Sequence, residues 1–457
     1  MQDIDGPRTS AVQRAWLIDE IVRNILAHVP LVGSSKTLAN CARVSTALSE
    51  PALDMLWSRM TGLSPLCQLL DEYPADENTS YLSTTIPHNA IDDAGWSRFT
   101  HYARRVRKLH YHCREGPSER LSQRTFAAIV RRASRAGAPL LPRLEELSWL
   151  HCARDITPYL HFLSPSLRRV TVYVQVGGSD PAPPPLPSPL DPQQQQQNPS
   201  SGFLSLLDAQ SPQVEELSLE GIALPASLEP LLAFRRLRSL RLGTVACPVA
   251  VVVSYCGAMP TLASLSVDLS CSPATSASAS PAHDHPHTEG DAPALRALED
   301  LRVAGAPSLI EELLRSVPPG ALRSASLSVL VPGYDQDGAA RCTGVLSTRF
   351  RTSLQRIRVH YRHATDRLPH TTPLFARAVQ PLLAIRGLRE CTLAFEDSAP
   401  AAMTDADVRE MAEAWPMLSL LEVALCRNPY TRLCGSRSGT VILGWMDDTQ
   451  STPDLVV

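Results

Sequence analysis

The chain has 457 residues, 44% of them hydrophobic, which is enough for two or three domains with a sizeable core. A net charge of -3 and an isoelectric point near 6.5 argue against nucleic acid or an anionic membrane as partner. The start is polar and acidic rather than that of a secretory signal, and no apolar run is long enough to cross a bilayer. Eleven scattered cysteines without a Cys-x-x-Cys pair predict neither disulfides nor a zinc site. We therefore expect a reducing location, cytoplasmic or nuclear.

Residues 17–57 carry apolar side chains at helical spacing in three successive segments. A turn containing Pro and Gly separates the first segment from the second. Ser49 is a candidate N-cap for the third, with Pro51 in its first turn and Trp57 near its end. We predict three short helices. Because so few residues bury too little core to be stable alone, we also predict a partner surface.

This segment resembles the F-box, whose pattern is Leu-Pro, an acidic residue, Ile, a helix ending in Leu or Val, a Leu-led second helix and a terminal Leu-Trp. The matching residues are Leu17, Glu20, Ile21, Ile25, Val29, Leu38, Val44, Leu56 and Trp57. Ile18 stands where the family usually has Pro. The segment from Ser49 to Trp57 is also similar to the short F-box variant common in mushroom-forming fungi. The resemblance covers under a tenth of the chain.

The resemblance implies that residues 14–60 form an F-box domain that docks on a Skp-type adaptor, and through it on a cullin scaffold carrying the ubiquitin-transfer machinery. The residues expected at the adaptor face, some of which must instead pack internally, are Leu17, Ile18, Ile21, Ile25, Leu38, Leu53, Leu56 and Trp57. Residues 61–100 are expected to be a linker or helical connection. The alternative is an ordinary helical cap packed on the following domain.

Beyond residue 100 a short motif recurs eleven times: an apolar residue, then further apolar residues three and five positions later. The motifs are Val106-Leu109-Tyr111, Leu144-Leu147-Trp149, Leu167-Val170-Val172, Val214-Leu217-Leu219, Leu237-Leu240-Leu242, Leu262-Leu265-Val267, Leu298-Leu301-Val303, Leu322-Ala325-Leu327, Leu354-Ile357-Val359, Leu388-Cys391-Leu393 and Leu418-Leu421-Val423. Several intervals, such as 23 residues from Leu144 to Leu167, match a leucine-rich repeat. Most of these motifs lack the Asn or Cys that such repeats usually carry eight residues after the first Leu, although Cys152 fits that position.

We therefore predict an α/β fold in which residues 101–430 form an irregular solenoid resembling leucine-rich repeats. Its parallel strands would line a concave face, and helices would cover the convex face. The predicted helical segments are 225–233, 308–317 and 404–415. Two inserts, at 177–201 and 270–292, are expected to be disordered. The C-terminal tail is expected at 431–457. The alternative is a generic α/β domain whose Leu-rich strands imitate a repeat.

Polar residues that alternate with the apolar strand positions should lie on the concave face. The candidates for binding a target protein are Arg169, Glu216, Ser218, Glu220, Arg241, Asp300, Arg302, Arg356, Arg358 and His360, and Thr171 and Ser239 share that face. Such a broad, charged surface suits a protein ligand better than a small molecule. The alternative is a sheet face that is merely solvated.

Catalytic motifs are weak. The run Gly435 to Gly439 resembles a nucleophile elbow but has Arg437 at its centre, and no phosphate loop or His-Glu-x-x-His helix occurs. His283, His285 and His287 could grip a metal, but nothing in their low-complexity insert would fix the geometry. The basic run 104–108 is interpreted as the surface of a capping repeat. We expect no cofactor and no metal.

Together these patterns favour a non-catalytic substrate receptor of a Skp–cullin–F-box ubiquitin ligase. The alternative is a leucine-rich-repeat scaffold that joins proteins without ubiquitin transfer. A hydrolase with a degenerate site is a third hypothesis, which no local motif supports.

Overall fold

The computed structural model describes residues 18–28, 34–70, 91–112, 123–151, 157–174, 199–221, 228–245, 247–271, 295–331, 337–363, 378–396, 404–426 and 439–444. The chain divides into two compact units. The first comprises residues 1–193 with 206–214, and the second comprises 194–205 with 215–457. The predicted boundaries at residues 60 and 100 both fall inside the first unit.

The first unit opens with helices and continues with parallel strands that pair in chain order. Its helices are α1 (Asp19–Ala27), α2 (Ser34–Val44), α3 (Thr46–Ser58), α4 (Ser64–Cys67), α5 (Asp93–Ala103) and α6 (Gln123–Ala136), with 3-10 turns at Gln68–Leu70 and Thr157–Phe162. Its strands are β1 (Arg59–Met60), β2 (Lys108–His112), β3 (Glu146–His151) and β4 (Arg169–Val174). Helix α7 (Pro199–Gln210) contains the division between the units.

The second unit alternates parallel strands with helices or 3-10 turns. Its strands are β5 (Glu216–Glu220), β6 (Ser239–Thr244), β7 (Ser264–Asp268), β8 (Asp300–Gly305), β9 (Ser324–Val331), β10 (Arg356–His363), β11 (Glu390–Glu396), β12 (Leu420–Cys426) and β13 (Gly439–Gly444). Between them lie α8 (Val249–Gly257), α9 (Pro307–Ser316), α10 (Gly338–Arg349), α11 (Asp405–Ala414) and the turns Glu229–Ala233 and Gln380–Ala384. Strands β5 to β12 pair in parallel and in chain order.

The third helix begins earlier than predicted. Ser45, not Ser49, is the N-cap: its backbone is extended and its hydroxyl accepts the amide hydrogen of Leu48 at 3.3 Å. The amide of Ser49 already donates to the carbonyl of Ser45 at 3.0 Å, as helical residues do. Pro51 therefore lies inside α3 rather than in its first turn.

The repeat prediction is confirmed, since the eleven motifs fall one by one on β2 to β12. The first residue of each motif is buried, and Leu167, Leu237, Leu298 and Leu354 are all at 0% exposure. Two predicted helical segments form α9 and α11, and α11 begins with a capping box between Thr404 and Asp407. The predicted helix at 225–233 is a 3-10 turn over Glu229–Ala233, and residues 225–227 lie outside the described residues.

One backbone contact recurs from repeat to repeat. The carbonyl of the residue just before a strand accepts the two amide hydrogens that open the next strand. Thus the carbonyl of Glu215 accepts from Arg238 and Ser239 at 2.8 and 3.0 Å, and that of Arg323 accepts from Gln355 and Arg356 at 2.9 and 3.1 Å. Since buried backbone groups must be paired, this contact aligns successive strands without an Asn or Cys side chain.

The ends of the predicted inserts and tail are only partly described. Residues 199–201 begin α7 rather than end an insert, while 175–198 and 272–294 lie outside the described residues. Within the predicted tail, β13 pairs antiparallel with β12. Sequence analysis assigned no strand there because the segment lacks the repeat motif.

Candidate protein-docking surfaces

The first three helices share a small apolar core. Val22 and Leu26 of α1, Leu38 of α2 and Ala52 of α3 form one buried cluster. Partly buried side chains that pack against it are Cys41, Ala42, Leu48, Met55 and Leu56. This core fixes which side of α1 faces its neighbours.

Two isoleucines of α1 and the isoleucine at its N-cap remain exposed beside this buried side. Ile18, Ile21 and Ile25 are 46%, 37% and 47% exposed. Ile21 and Ile25 share one side of the helix because they are four residues apart, and Ile18 is the N-cap residue just before the first turn. These three apolar residues are here called the isoleucine stripe. Val22 and Leu26 occupy the adjoining line of the same helix. The apolar side of α1 is therefore wider than the part that the described residues bury.

The other residues expected at the adaptor face have different positions. Leu38 is buried in the core, Leu56 packs against it, and Leu53 is half-buried. Trp57 stacks on Tyr102 of α5, with ring centroids 4.7 Å apart. Leu17 lies outside the described residues. Among the members of the expected set that the structure describes, the isoleucines are the exposed apolar side chains.

Arg105, in the turn after α5, is buried, whereas the sequence predicted a surface position for it. Its side chain is 4% exposed, its Nη2 lies 2.7 Å from Glu50 Oε2, and its Nη1 contacts the carboxylate of Asp54. Burial lowers the pKa of Arg105, but the two carboxylates outweigh it and raise that pKa overall. The predicted surface run 104–108 is corrected at this residue. Its guanidinium binds α3 to the end of α5.

His101 completes this group. Its Nε2 lies 3.0 Å from Arg105 Nη2. Burial and then the charges of Arg104 and Arg105 lower the pKa of His101, which favours the neutral ring that accepts a hydrogen bond from the guanidinium.

In the first unit, the polar side of the strands carries a paired cluster around Glu146. Lys108, Glu146 and Arg169 are neighbours in register on β2, β3 and β4. Lys108 Nζ is 2.5 Å and Arg169 Nη1 is 3.8 Å from Glu146 Oε2. Burial acts to raise the pKa of Glu146, but the hydrogen bond and charge of Lys108, together with the charges of His110 and Arg169, outweigh it, and that pKa is lowered. Arg169 is exposed, as expected, but is partly neutralised.

In the second unit, two predicted arginines are also paired with carboxylates. Arg241 Nη1 lies 3.4 Å from Glu220 Oε1, and Arg302 Nη2 lies 3.6 Å from Asp300 Oδ2. The hydroxyl of Ser218 donates to the same oxygen of Glu220 at 3.3 Å. These residues, with exposed Glu216 on β5 and half-buried Ser239 on β6, occupy the positions between buried strand residues. They therefore lie on the side of the strands opposite to the buried residues.

Arg356, Arg358 and His360 follow the same alternation on β10, between buried Ile357 and Val359. Arg362, which was not among the predicted residues, is exposed two positions after His360 on the same side of the strand. The sequence pattern could have identified Arg362, because β10 continues the alternation of polar and apolar residues through buried Tyr361.

The metal and elbow hypotheses fall mostly outside the described residues. His283, His285 and His287 lie there, as do residues 435–438. Among the residues that the structure does describe, no group of three or more His, Cys, Asp or Glu could hold a metal ion. In the same residues, no helix has both the length and the apolar character needed to span a membrane.

Neither a protein-family model nor a curated protein matches the chain. Among solved structures, an internalin from Listeria monocytogenes is 10% identical with a TM-score of 0.29, covering 79% of this chain and 94% of its own. A TLR13 complex with single-stranded RNA is 12% identical with a TM-score of 0.32, covering 65% and 33%. A leucine-rich-repeat protein from Leptospira interrogans is 12% identical with a TM-score of 0.27, covering 81% and 82%. At these TM-scores the fold assignment rests on the strand pairing and the repeat motif described above.

Proposed function

We propose that this protein is a substrate receptor of a Skp–cullin–F-box ubiquitin ligase, in which the isoleucine stripe docks on a Skp-type adaptor. The observation that carries the proposal is the exposure of Ile18, Ile21 and Ile25 beside the buried core of the same helix. The Leu-Trp pair and the spacing that resemble the F-box support it. Val44, also at a position of that pattern, is 74% exposed.

Burial of the isoleucine stripe by a partner is favourable because it removes apolar surface from water. Each isoleucine transferred from water to an apolar contact contributes on the order of 1.5–3 kcal/mol if its burial is complete. These side chains are already about half covered, so the gain is smaller, but three adjacent ones form the kind of apolar centre that protein interfaces use.

The parallel strands of the repeats would hold the target protein through their polar side. The receptor then supplies proximity: a target lysine held near a charged ubiquitin carrier reacts at a raised effective concentration. The bond-forming chemistry belongs to other subunits, and the receptor needs no cofactor.

The test is calorimetric titration of the full chain with a purified Skp-type adaptor. We expect wild-type protein to bind, and the variant Ile21→Ser/Ile25→Ser to lose at least about tenfold in affinity, because polar side chains replace the centre of the interface. The matched control is Leu232→Ser/Met417→Ser, which removes two exposed apolar side chains of the second unit. This control should bind as wild type does.

Two results would overturn the proposal: no binding of the wild-type chain, or equal affinity of the isoleucine variant and wild type. Either result would favour the alternative, a repeat scaffold that joins proteins without ubiquitin transfer.

A further inference from the structure

Strand β10 carries a continuous line of basic side chains on its polar side. Arg356, Arg358, His360 and Arg362, here called the basic line, occupy alternate positions and therefore share one side of the strand. Between them lie Ile357, Val359 and Tyr361, all buried. At about 3.3 Å per residue, the line extends over about 20 Å.

The strands on both sides of the basic line present short side chains. On β9, Ser324, Ser326 and Ser328 are in register with Arg356, Arg358 and His360. On β11, Thr392 and Ala394 are in register with Arg358 and His360. The long basic side chains therefore rise above their neighbours and leave room for a ligand beside them. The hydroxyls of the serines add hydrogen-bond donors at the same level.

The two arginines at the start of the line are not neutralised. No carboxylate among the described residues lies within ion-pair distance of Arg356 or Arg358, whereas Arg241 and Arg302 each have one within 3.6 Å. Glu390 is the neighbour of Arg356 in register, but the two do not form an ion pair. An uncompensated guanidinium on a solvated surface attracts carboxylates and forms charge-assisted hydrogen bonds with them.

We propose that the basic line binds an extended acidic segment of a target protein. This inference rests on the proposed function and names the class of target that the receptor would recognise. Alternate side chains of an extended peptide are about 7 Å apart, which is also the separation of alternate residues along β10. Carboxylates at alternate positions can therefore face Arg356 and Arg358 together.

The charges around the basic line favour a short acidic peptide over a nucleic acid. The chain as a whole has a net charge of -3, and carboxylates occupy the same side of the neighbouring strands at Asp300, Glu390 and Glu422. A continuous phosphate backbone would extend past the basic line and meet those carboxylates, while a short segment would not.

The experiment measures fluorescence anisotropy of the full chain with a labelled peptide of alternating Glu and Ser, about seven residues long to match the line. The test variant is Arg356→Gln/Arg358→Gln. The matched control is Arg386→Gln/Arg409→Gln, which makes the same change in net charge at two exposed arginines outside the strands of this unit. Thermal unfolding of both variants checks that each is folded, and Arg358→Gln alone serves as a milder second variant.

We expect the wild type and the control to bind the peptide equally, and the test variant to bind about tenfold more weakly, with binding reduced at higher salt. Arg358→Gln alone should lose about threefold. No binding by wild type, or an equal loss in test and control variants, would overturn the inference. So would tighter binding of a single-stranded oligonucleotide of equal charge. The peptide assay contains no adaptor, so a failure of adaptor docking would leave its result unchanged.

Discussion

Trp57 at the end of α3 packs on Tyr102 near the end of α5, with ring centroids 4.7 Å apart and planes inclined by 35°. The sequence pattern favoured Trp57 as part of an adaptor surface, but its ring is half-buried in a contact between two helices. With Arg105, which binds Glu50 and Asp54 of α3, this contact connects the N-terminal helices to the start of the repeats. The Leu-Trp pair therefore has a structural role within the chain.

Replacing Trp57 by Ala should destabilise the first unit by about 2 kcal/mol, because a half-buried ring and its aromatic contact are lost. Trp57→Phe should retain most of the stability. Urea unfolding of each variant, followed by circular dichroism, measures the difference. A Trp57→Ala variant as stable as wild type would contradict the packing role.

Replacing Arg105 by Gln should cost about 2 kcal/mol of stability, since two carboxylates lose their shared buried cation. This loss of stability is smaller than that expected for a fully buried ion pair, because Glu50 and Asp54 are 65% and 35% exposed. Arg107→Gln is the matched control. Arg107 and Glu145 form an exposed pair, so its loss should change stability by under about 0.5 kcal/mol. Equal losses in the two variants, measured by chemical unfolding, would refute the distinction.

Tyr361→Phe should leave stability unchanged or raise it by up to about 1 kcal/mol. The Tyr361 side chain is fully buried, and its hydroxyl has no hydrogen-bond partner among the residues that the structure describes. Burial also raises the pKa of this phenol well above its usual value, so the group stays neutral. The stacked contact with Phe395, at 5.0 Å, does not need the hydroxyl. The thermal midpoint is the measurement; a marked fall in Tyr361→Phe would show that the hydroxyl has a bonding partner.

Native alkylation should distinguish buried from exposed thiols. Burial raises the pKa of Cys67, Cys256 and Cys391 each to about 12, so that at pH 8 roughly one thiol in ten thousand is the reactive thiolate. Cys271 is exposed and should react with iodoacetamide before these three buried cysteines. Peptide mass spectrometry after a short reaction gives the order. Denatured protein, in which all cysteines should react, is the control, and native labelling of Cys391 as fast as Cys271 would contradict the prediction.

The strands were predictable because their signal is local. A motif such as Leu354-Ile357-Val359 places two apolar residues on one side of a strand, and the structure buries all three. The start of α3 was less predictable, since Ser45 and Ser49 are both capable caps and only the extended backbone at Ser45 selects one. Strand β13 could not be predicted, because its pairing with β12 carries no repeat motif.

The sequence by itself determined where the repeats lie, which strand positions are apolar, and which side of each strand is polar, since these depend on residues a few positions apart. Only the tertiary structure decided that Ile21 is exposed while Leu38 is buried. It also decided that Arg105 binds two carboxylates while Arg358 has no ion-pair partner in the described part of the chain. Burial and ion pairing depend on residues far apart in the chain, such as Asp54 and Arg105. The sequence therefore nominated the residues of the isoleucine stripe and most of the basic line, but only the folded chain shows which of them are exposed and which lack an ion-pair partner among the described residues.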